Sequence, residues 1–213
     1  MARIVIIPGL AVRGYAKPPS RALIRRGHRV SLLAAPTWRG TRTNLTEYGR
    51  MLAAQLDRAH DDVDLLIGLS VGTQAAVEAA AGSARVGRVL LISPTVDPAH
   101  RSVSGLIGRW LHGDPDDEGP GWTQSLPDWS RAGIGRIAAG YLSALRTPIE
   151  RALPRVSAEV TVMRAEHDSL STESWVRSLA VDDEHFRVIP DGSHSWPVGA
   201  DEEFADLVGE LLA

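Results

Sequence analysis

Residues 65–80 read LLIGLSVGTQAAVEAA, and this stretch decides the fold. An apolar run ends at one serine, Ser70, set between Gly68 and Gly72, and a long Ala-rich segment follows. A serine hydroxyl is a weak nucleophile until a base takes its proton. A parallel sheet can expose one on a sharp turn from a strand end into a helix. Such a turn strains the serine backbone and crowds its neighbours at minus two and plus two, where glycine relieves the crowding. VDLLI, GLSVG and TQAAVEAA supply strand, elbow and helix in that order, so the Ser70 hydroxyl is expected at the carboxyl edge of a sheet.

Outward from the elbow, short apolar runs alternate with amphipathic ones. RIVII, HRVSLLAA, VDLLIGLS, RVLLIS, EVTVMR and HFRVIP read as six strands. PPSRALIRRG, TNLTEYGRMLAAQLDRAH, TESWVRSLA and ADEEFADLVGELL read as helices between and after them. Asn44 and Glu47 have capping-box spacing, with Leu45, Tyr48, Leu52, Leu56 and Ala59 on one stripe. Gly27 and Gly82 are helix stops. Nearly continuous apolar strands alternating with helices imply a three-layer, doubly wound α/β fold, with a mainly parallel six-stranded sheet covered on both faces. The alternation lapses over about residues 98–154. There VSGLIGRWL and IGRIAAGYLSAL have helical periodicity, the second with Ile134, Ile137, Ala138, Tyr141, Leu142 and Leu145 on one face. HGDPDDEGPGWTQSLPDWS between them reads as a loop. This segment is expected to be a helical cap inserted into a single domain spanning 1–213.

A base for Ser70 must come from another loop at the same sheet edge. His28, His60 and His185 sit at the opposite ends of their elements, and His100 and His112 lie in the insert. His167 follows a strand at the correct edge but adjoins a better acid candidate. His194, in PDGSHSWP directly after the last strand, is the preferred base. The acid should hold the imidazole tautomer from a third strand end. Asp168 in RAEHDSL is preferred over Asp97 in SPTVDP and over Glu166, on loop position and on the order Ser, acid, His. The alternative for Asp97 is a turn or helix cap before Pro98.

IIPGL, GLSVG, RAEHDSL and DGSHSWP, in this order across nearly the whole chain, resemble the alpha/beta-hydrolase family, in particular its small serine esterase and thioesterase-like members. The resemblance implies Ser70 as nucleophile, Asp168 as acid and His194 as base. Pro8-Gly9 stands where members often have His-Gly, and Leu69 where they often have His. The chain starts at what resembles the family's third strand, so the usual leading antiparallel hairpin is missing.

Acyl transfer puts negative charge on the former carbonyl oxygen, and fixed donors aimed at it are worth about 3–4 kcal/mol each. The backbone N–H groups of Val71 and of Leu10, in the loop after the first strand, are the expected oxyanion donors, with Ala11 the alternative to Leu10. Trp110, Trp122, Trp129 and Tyr141 in the insert and Trp38 after the second strand are candidates for lining a substrate cleft, or for packing the insert onto the core. Trp196 is suited to packing beneath the His194 loop. DPDDE at 114–118 reads as a solvated acidic loop, and no metal site is expected.

Composition narrows the remaining classes. The chain has no cysteine, which removes thiolate catalysis, disulfides and Cys-based metal sites. A net charge of -3 argues against nucleic acid or an anionic membrane surface as partner. No apolar run has transmembrane length, and the start lacks a secretion-signal pattern, so a cytoplasmic location is the expectation. The reading is a serine hydrolase acting on an ester, thioester or lactone through an acyl-enzyme, with no cofactor. The alternatives are an acyltransferase or cyclase taking an acyl group from a carrier protein or a tether, and a non-catalytic binding protein of the same fold.

Overall fold

The computed structural model describes residues 1–38, 40–60, 62–102 and 122–213. Six strands form one sheet in the order β2-β1-β3-β4-β5-β6, and every neighbouring pair is parallel. They are β1 (Arg3–Ile7), β2 (Arg29–Leu32), β3 (Val63–Leu69), β4 (Val86–Ile92), β5 (Glu159–Ala165) and β6 (Phe186–Ile189). The helices are α1 (Lys17–Arg25), α2 (Leu45–Ala59), α3 (Gly72–Gly82), α4 (Trp122–Ala132), α5 (Ile134–Arg146), α6 (Ile149–Ala152), α7 (Glu173–Leu179) and α8 (Asp201–Leu212). The six-stranded, doubly wound reading therefore holds.

Burial follows from the parallel arrangement. On one face Val5, Ile7, Leu66, Val89, Leu91 and Val162 pack under α2, α3, α6 and α7. On the other, Ile4, Ile6, Leu65, Ile67, Leu90 and Ile92 pack under α1 and α8. Alternate side chains of the same strands thus feed two cores, which is why the central strands are apolar throughout. The edge strand β2 instead alternates exposed and half-buried residues.

Helix α3 explains its own alanines. It is buried from Gly72 to Ala80, between the sheet and α2. A Cβ on Gly49 of α2 would lie 2.6 Å from the Ala75 carbonyl oxygen, so these two backbones approach more closely than larger side chains permit. The start of α2 is fixed by Asn44, whose side chain accepts from the Glu47 amide at 3.1 Å, an N-cap of the kind its sequence implies. Ala59, expected on the buried stripe, is exposed in the last turn of the helix.

Two expectations for the segment between β4 and β5 change. Residues 122–130, read as loop from their Pro, Asp and Trp content, lie within α4, with Pro127 inside it. Proline removes one intrahelical donor, but tertiary contacts of α4 described below outweigh that local cost. Helix α5 does form, with a different face inward. Gly140 and Ala144 are buried, Ile137, Tyr141 and Leu145 are half-buried, and Ile134 is 88% exposed. A Cβ on Gly140 would stand 2.0 Å from Thr37 Cγ2, so α5 docks through its smallest residues. The helix expected over VSGLIGRWL and the acidic stretch 114–118 lie outside the described residues. No helix among the described residues is long and apolar enough to cross a membrane.

Candidate active site

Ser70 follows β3 directly and has a positive φ of 51°. Both flanking glycines are required sterically. A Cβ on Gly68 would lie 2.6 Å from Thr73 Cα, and one on Gly72 would lie 2.3 Å from the Ile7 carbonyl oxygen. The elbow is therefore pressed against the end of β1 on one side and the first turn of α3 on the other. The Ser70 amide donates to the Ile92 carbonyl at 2.9 Å, and the Thr73 amide and hydroxyl both donate to the Ser70 carbonyl.

His194 reaches this serine from the loop after β6. Its Nε2 lies 2.9 Å from Ser70 Oγ, and its Nδ1 lies 2.8 Å from Asp168 Oδ1. Asp168 sits in the loop after β5 and is buried. The structure thus brings Ser70, His194 and Asp168 into one hydrogen-bonded row at the carboxyl edge. Burial opposes ionisation of Asp168, but the His194 charge and hydrogen bond outweigh it, and the Leu170 amide assists. The net effect is a carboxyl held below its ordinary value. The Leu170 and Ser171 amides donate to Oδ1 at 2.9 and 3.1 Å. Oδ2 has no full hydrogen bond, although the Ser93 hydroxyl is close enough to help hold the charge.

Buried residues support this row: Trp196, expected from the sequence beneath the His194 loop, and Arg164, which the sequence did not single out. Arg164, at the end of β5, donates to the carbonyls of Glu166, Asp168 and Ser171, filling the acid loop from beneath. Beside His194, Trp196 is buried and packs edge-on against Phe204 of α8, with ring centroids 5.8 Å apart. Asp97 is also buried but does not face His194. Its carboxylate caps the turn at Ala99 and accepts from the Thr172 amide and hydroxyl. The cap alternative describes its position.

Oxyanion donors are expected on the loop after β1, which lies against the elbow. A Cβ on Gly9 would be 3.5 Å from Ser70 Cβ. The Gly9 amide donates to the buried Tyr15 hydroxyl at 2.9 Å, and burial keeps that phenol protonated far above its usual range. The Ala11 amide is taken by the Pro36 carbonyl at 3.3 Å, which leaves Leu10 the better candidate. Neither the Leu10 nor the Val71 amide has an acceptor among the described residues. Val71 is the N-cap residue of α3, where orphan N–H groups and the helix dipole favour negative charge.

The apolar residues beside these amides form a small cluster of their own. Leu10, Val71, Val96, Tyr141, Leu145 and Leu170 belong to it. Tyr141, one of the expected cleft residues, packs against this cluster. The Trp38 Nε1 donates to the Ala11 carbonyl at 3.1 Å, and the Arg13 and Arg131 guanidinium groups lie 6.0 and 5.6 Å from its ring centroid. Trp129 is half-buried on α4. Trp122 opens the same helix, and Trp110 lies outside the described residues.

Among the described residues, one group of metal-ligating types converges, Glu166, His167 and Asp191, with ligand atoms within 4.8 Å of one another. All three are exposed, and Glu166 already accepts from the Asp191 amide. The histidines set aside by position do lie elsewhere: His60 contacts Arg85, and His185 contacts Asp182.

Comparison with known proteins agrees with this architecture. Residues 4–207 match the sequence profile of the Alpha/beta hydrolase family. Among solved structures, an esterase from Exiguobacterium antarcticum superposes with a TM-score of 0.76 at 14% identity, covering 100% of this chain and 92% of that one. A hydrolase from Pseudomonas aeruginosa PA01 gives 0.72 at 15% identity, covering 100% and 90%. Est816, described as an N-acyl homoserine lactone degrading enzyme, gives 0.73 at 17% identity, covering 99% and 93%. At these identities the likeness is one of fold. No curated protein matched the chain.

Proposed function

The chain belongs to the alpha/beta-hydrolase family and is a hydrolase, and from that premise we propose that it is a serine hydrolase cleaving a carboxylic ester, thioester or lactone. The observation that carries the reading is the row Ser70–His194–Asp168, with contacts of 2.9 and 2.8 Å, at the N-terminus of α3. In the reaction, Ser70 Oγ attacks the acyl carbon while its proton passes to His194 Nε2. Asp168 holds the Nδ1 proton and stabilises the imidazolium. The carbonyl oxygen takes up the negative charge and is met by the Val71 and Leu10 amides. Collapse expels the alcohol or thiol, which receives the proton from His194, and an acyl-Ser70 ester remains. Water, deprotonated by His194, then attacks that ester, and release of the carboxylic acid restores the serine.

An ionised Asp168 is needed in both halves, and its depressed carboxyl keeps it so at neutral pH. The apolar cluster of Leu10, Val96, Tyr141 and Leu170 suits a hydrocarbon acyl or alcohol group. The esterase and lactone-degrading enzyme that share the fold agree with an oxygen ester or lactone as substrate. The test is a fluorophosphonate reaction followed by an ester, thioester and lactone panel. The expected result is stoichiometric labelling and turnover, both lost in Ser70→Ala. Undiminished turnover in that variant would sink the reading. Product analysis with added alcohols or an acylated carrier protein tells hydrolysis from acyl transfer.

A further inference from the structure

The loop after β1 is gripped from the segment between β4 and β5 by one buried carboxylate. We propose that Asp128 is a positioning residue that sets the Leu10 amide for the oxyanion, an inference that rests on the serine-hydrolase reading above. Asp128 lies on α4 and is 4% exposed. Its Oδ2 accepts from the Arg13 amide and the Gly14 amide, each at 2.7 Å. A carboxylate removed from water must be satisfied by donors, and bonds from amides to an ionised acceptor are short and strong. Two adjacent backbone donors on one oxygen leave the Arg13–Gly14 end of the loop little freedom.

The rest of the loop is fixed by independent contacts. The Gly9 amide is on Tyr15, the Ala11 amide on Pro36, and the Ala11 carbonyl on Trp38. The Arg13 guanidinium donates to the Leu32 and Leu33 carbonyls at the end of β2. Between residues 9 and 14, only Leu10 and Val12 have amides without an acceptor among the described residues. Leu10 lies next to Gly9, which is in contact range of Ser70. On its other side, a Cβ on Gly140 of α5 would be 2.9 Å from Leu10 Cδ1. Leu10 is thus held from two sides of the chain, its loop by the clamp at residues 13–14 and its side chain by the close approach of α5, and both come from the same segment. Oxyanion stabilisation depends on donors preset at the right distance, and small misplacements are expensive in rate. Asp128 touches no reacting atom and acts through the loop.

The test compares wild type, Asp128→Ala and Asp128→Asn in the full chain, using a short-chain p-nitrophenyl ester, a fluorophosphonate and a trifluoromethyl ketone that mimics the tetrahedral adduct. Removing the acceptor should lower kcat by about 30-fold, below the loss from deleting an oxyanion donor outright, with KM within about twofold. Fluorophosphonate labelling should slow, and ketone inhibition weaken, by a similar factor, while labelling reaches the same stoichiometry. Asp128→Asn keeps an acceptor oxygen and should recover kcat to within about fivefold of wild type. Unchanged kcat per labelled site in Asp128→Ala, with only Tm lowered, overturns the inference and leaves the serine-hydrolase reading intact. So does an Asn variant as impaired as the Ala variant. If the Ala variant does not fold, Asp128→Leu, which keeps the side-chain bulk but has no acceptor, takes its place: a severalfold loss of kcat at full labelling supports the role, and no loss overturns it. A wild type that neither reacts with the fluorophosphonate nor turns over any ester removes both.

Discussion

Helices α3 and α5 are nearly equal in length and both rich in small residues, yet they are held by different forces. Helix α3 is buried on almost every side, and its alanines let the sheet and α2 close on it. Helix α5 leaves Ile134 and Leu142 in solvent and is tied down by polar hooks. Arg136 donates to the carbonyls of Thr37, Trp38 and Thr41. From the body, the buried Gln74 of α3 donates to the carbonyls of Ala144 and Thr147 at 2.8 and 2.7 Å. The α/β body draws stability from apolar area, which is non-directional. Helix α5 takes its place from the close approach of Gly140 and from a few directional bonds, of which those of Arg136 end on the loop after β2.

This contrast can be broken at several points. The largest effect is expected at the row itself: Ser70→Ala or His194→Ala should lower kcat by about 10⁶-fold, with Tm little changed, as steady-state kinetics and calorimetry would check. Asp168→Asn should cost about 10⁴-fold in kcat, whereas Asp97→Asn should lower Tm and leave kcat within about tenfold, since its carboxylate accepts from Ala99 and Thr172. A greater kcat loss at Asp97 would reverse the acid assignment.

Asp168 also links folding to pH. A carboxyl whose folded value is depressed adds stability that is fully present above the unfolded value, here about 3.8, and is lost as pH falls through the folded value. Denaturant titrations between neutral pH and acid should show this loss in wild type and a smaller one in Asp168→Asn.

Next in size is the body. Trp196→Ala removes a buried ring from between the His194 loop and α8 and should cost about 3–5 kcal/mol in denaturant unfolding. Gln74→Ala leaves two carbonyls at the end of α5 without their donor and should cost about 1–3 kcal/mol. Hydrogen exchange should rise mainly in α5 if that segment is hooked on as described, and uniformly if it is part of the main core. The smallest effect is expected at Ile134→Ser, within about 0.5 kcal/mol, because its side chain is almost wholly exposed.

Much of the body was legible in the chain because its signals are local and periodic. Six apolar runs gave six strands, and Asn44 and Gly27 marked real helix ends. GLSVG announced the elbow because its glycines answer a steric demand made by the immediate neighbours of Ser70. The segment between β4 and β5 was read less well. Local composition at 122–130 says loop, since Pro127 and the acidic and small residues weaken helix propensity. The contact that fixes α4 is with residues 13 and 14, more than a hundred positions away. Periodicity over 134–145 found a helix but not its inward face, because small residues rather than large ones make the contact.

By itself the sequence determined the order of strands and helices outside the segment between β4 and β5, the strained serine between two glycines, and a short set of histidines and acids for the same sheet edge. Hydrophobic period and backbone sterics act between neighbours, so they are written in neighbours. The tertiary structure decided which acid meets His194, which amides beside Ser70 have no acceptor among the described residues, and that Asp128 and Arg136 hold the loops after β1 and β2. Hydrogen bonds between distant residues depend on where the folded backbone brings a donor to an acceptor, and no spacing along the chain encodes that meeting.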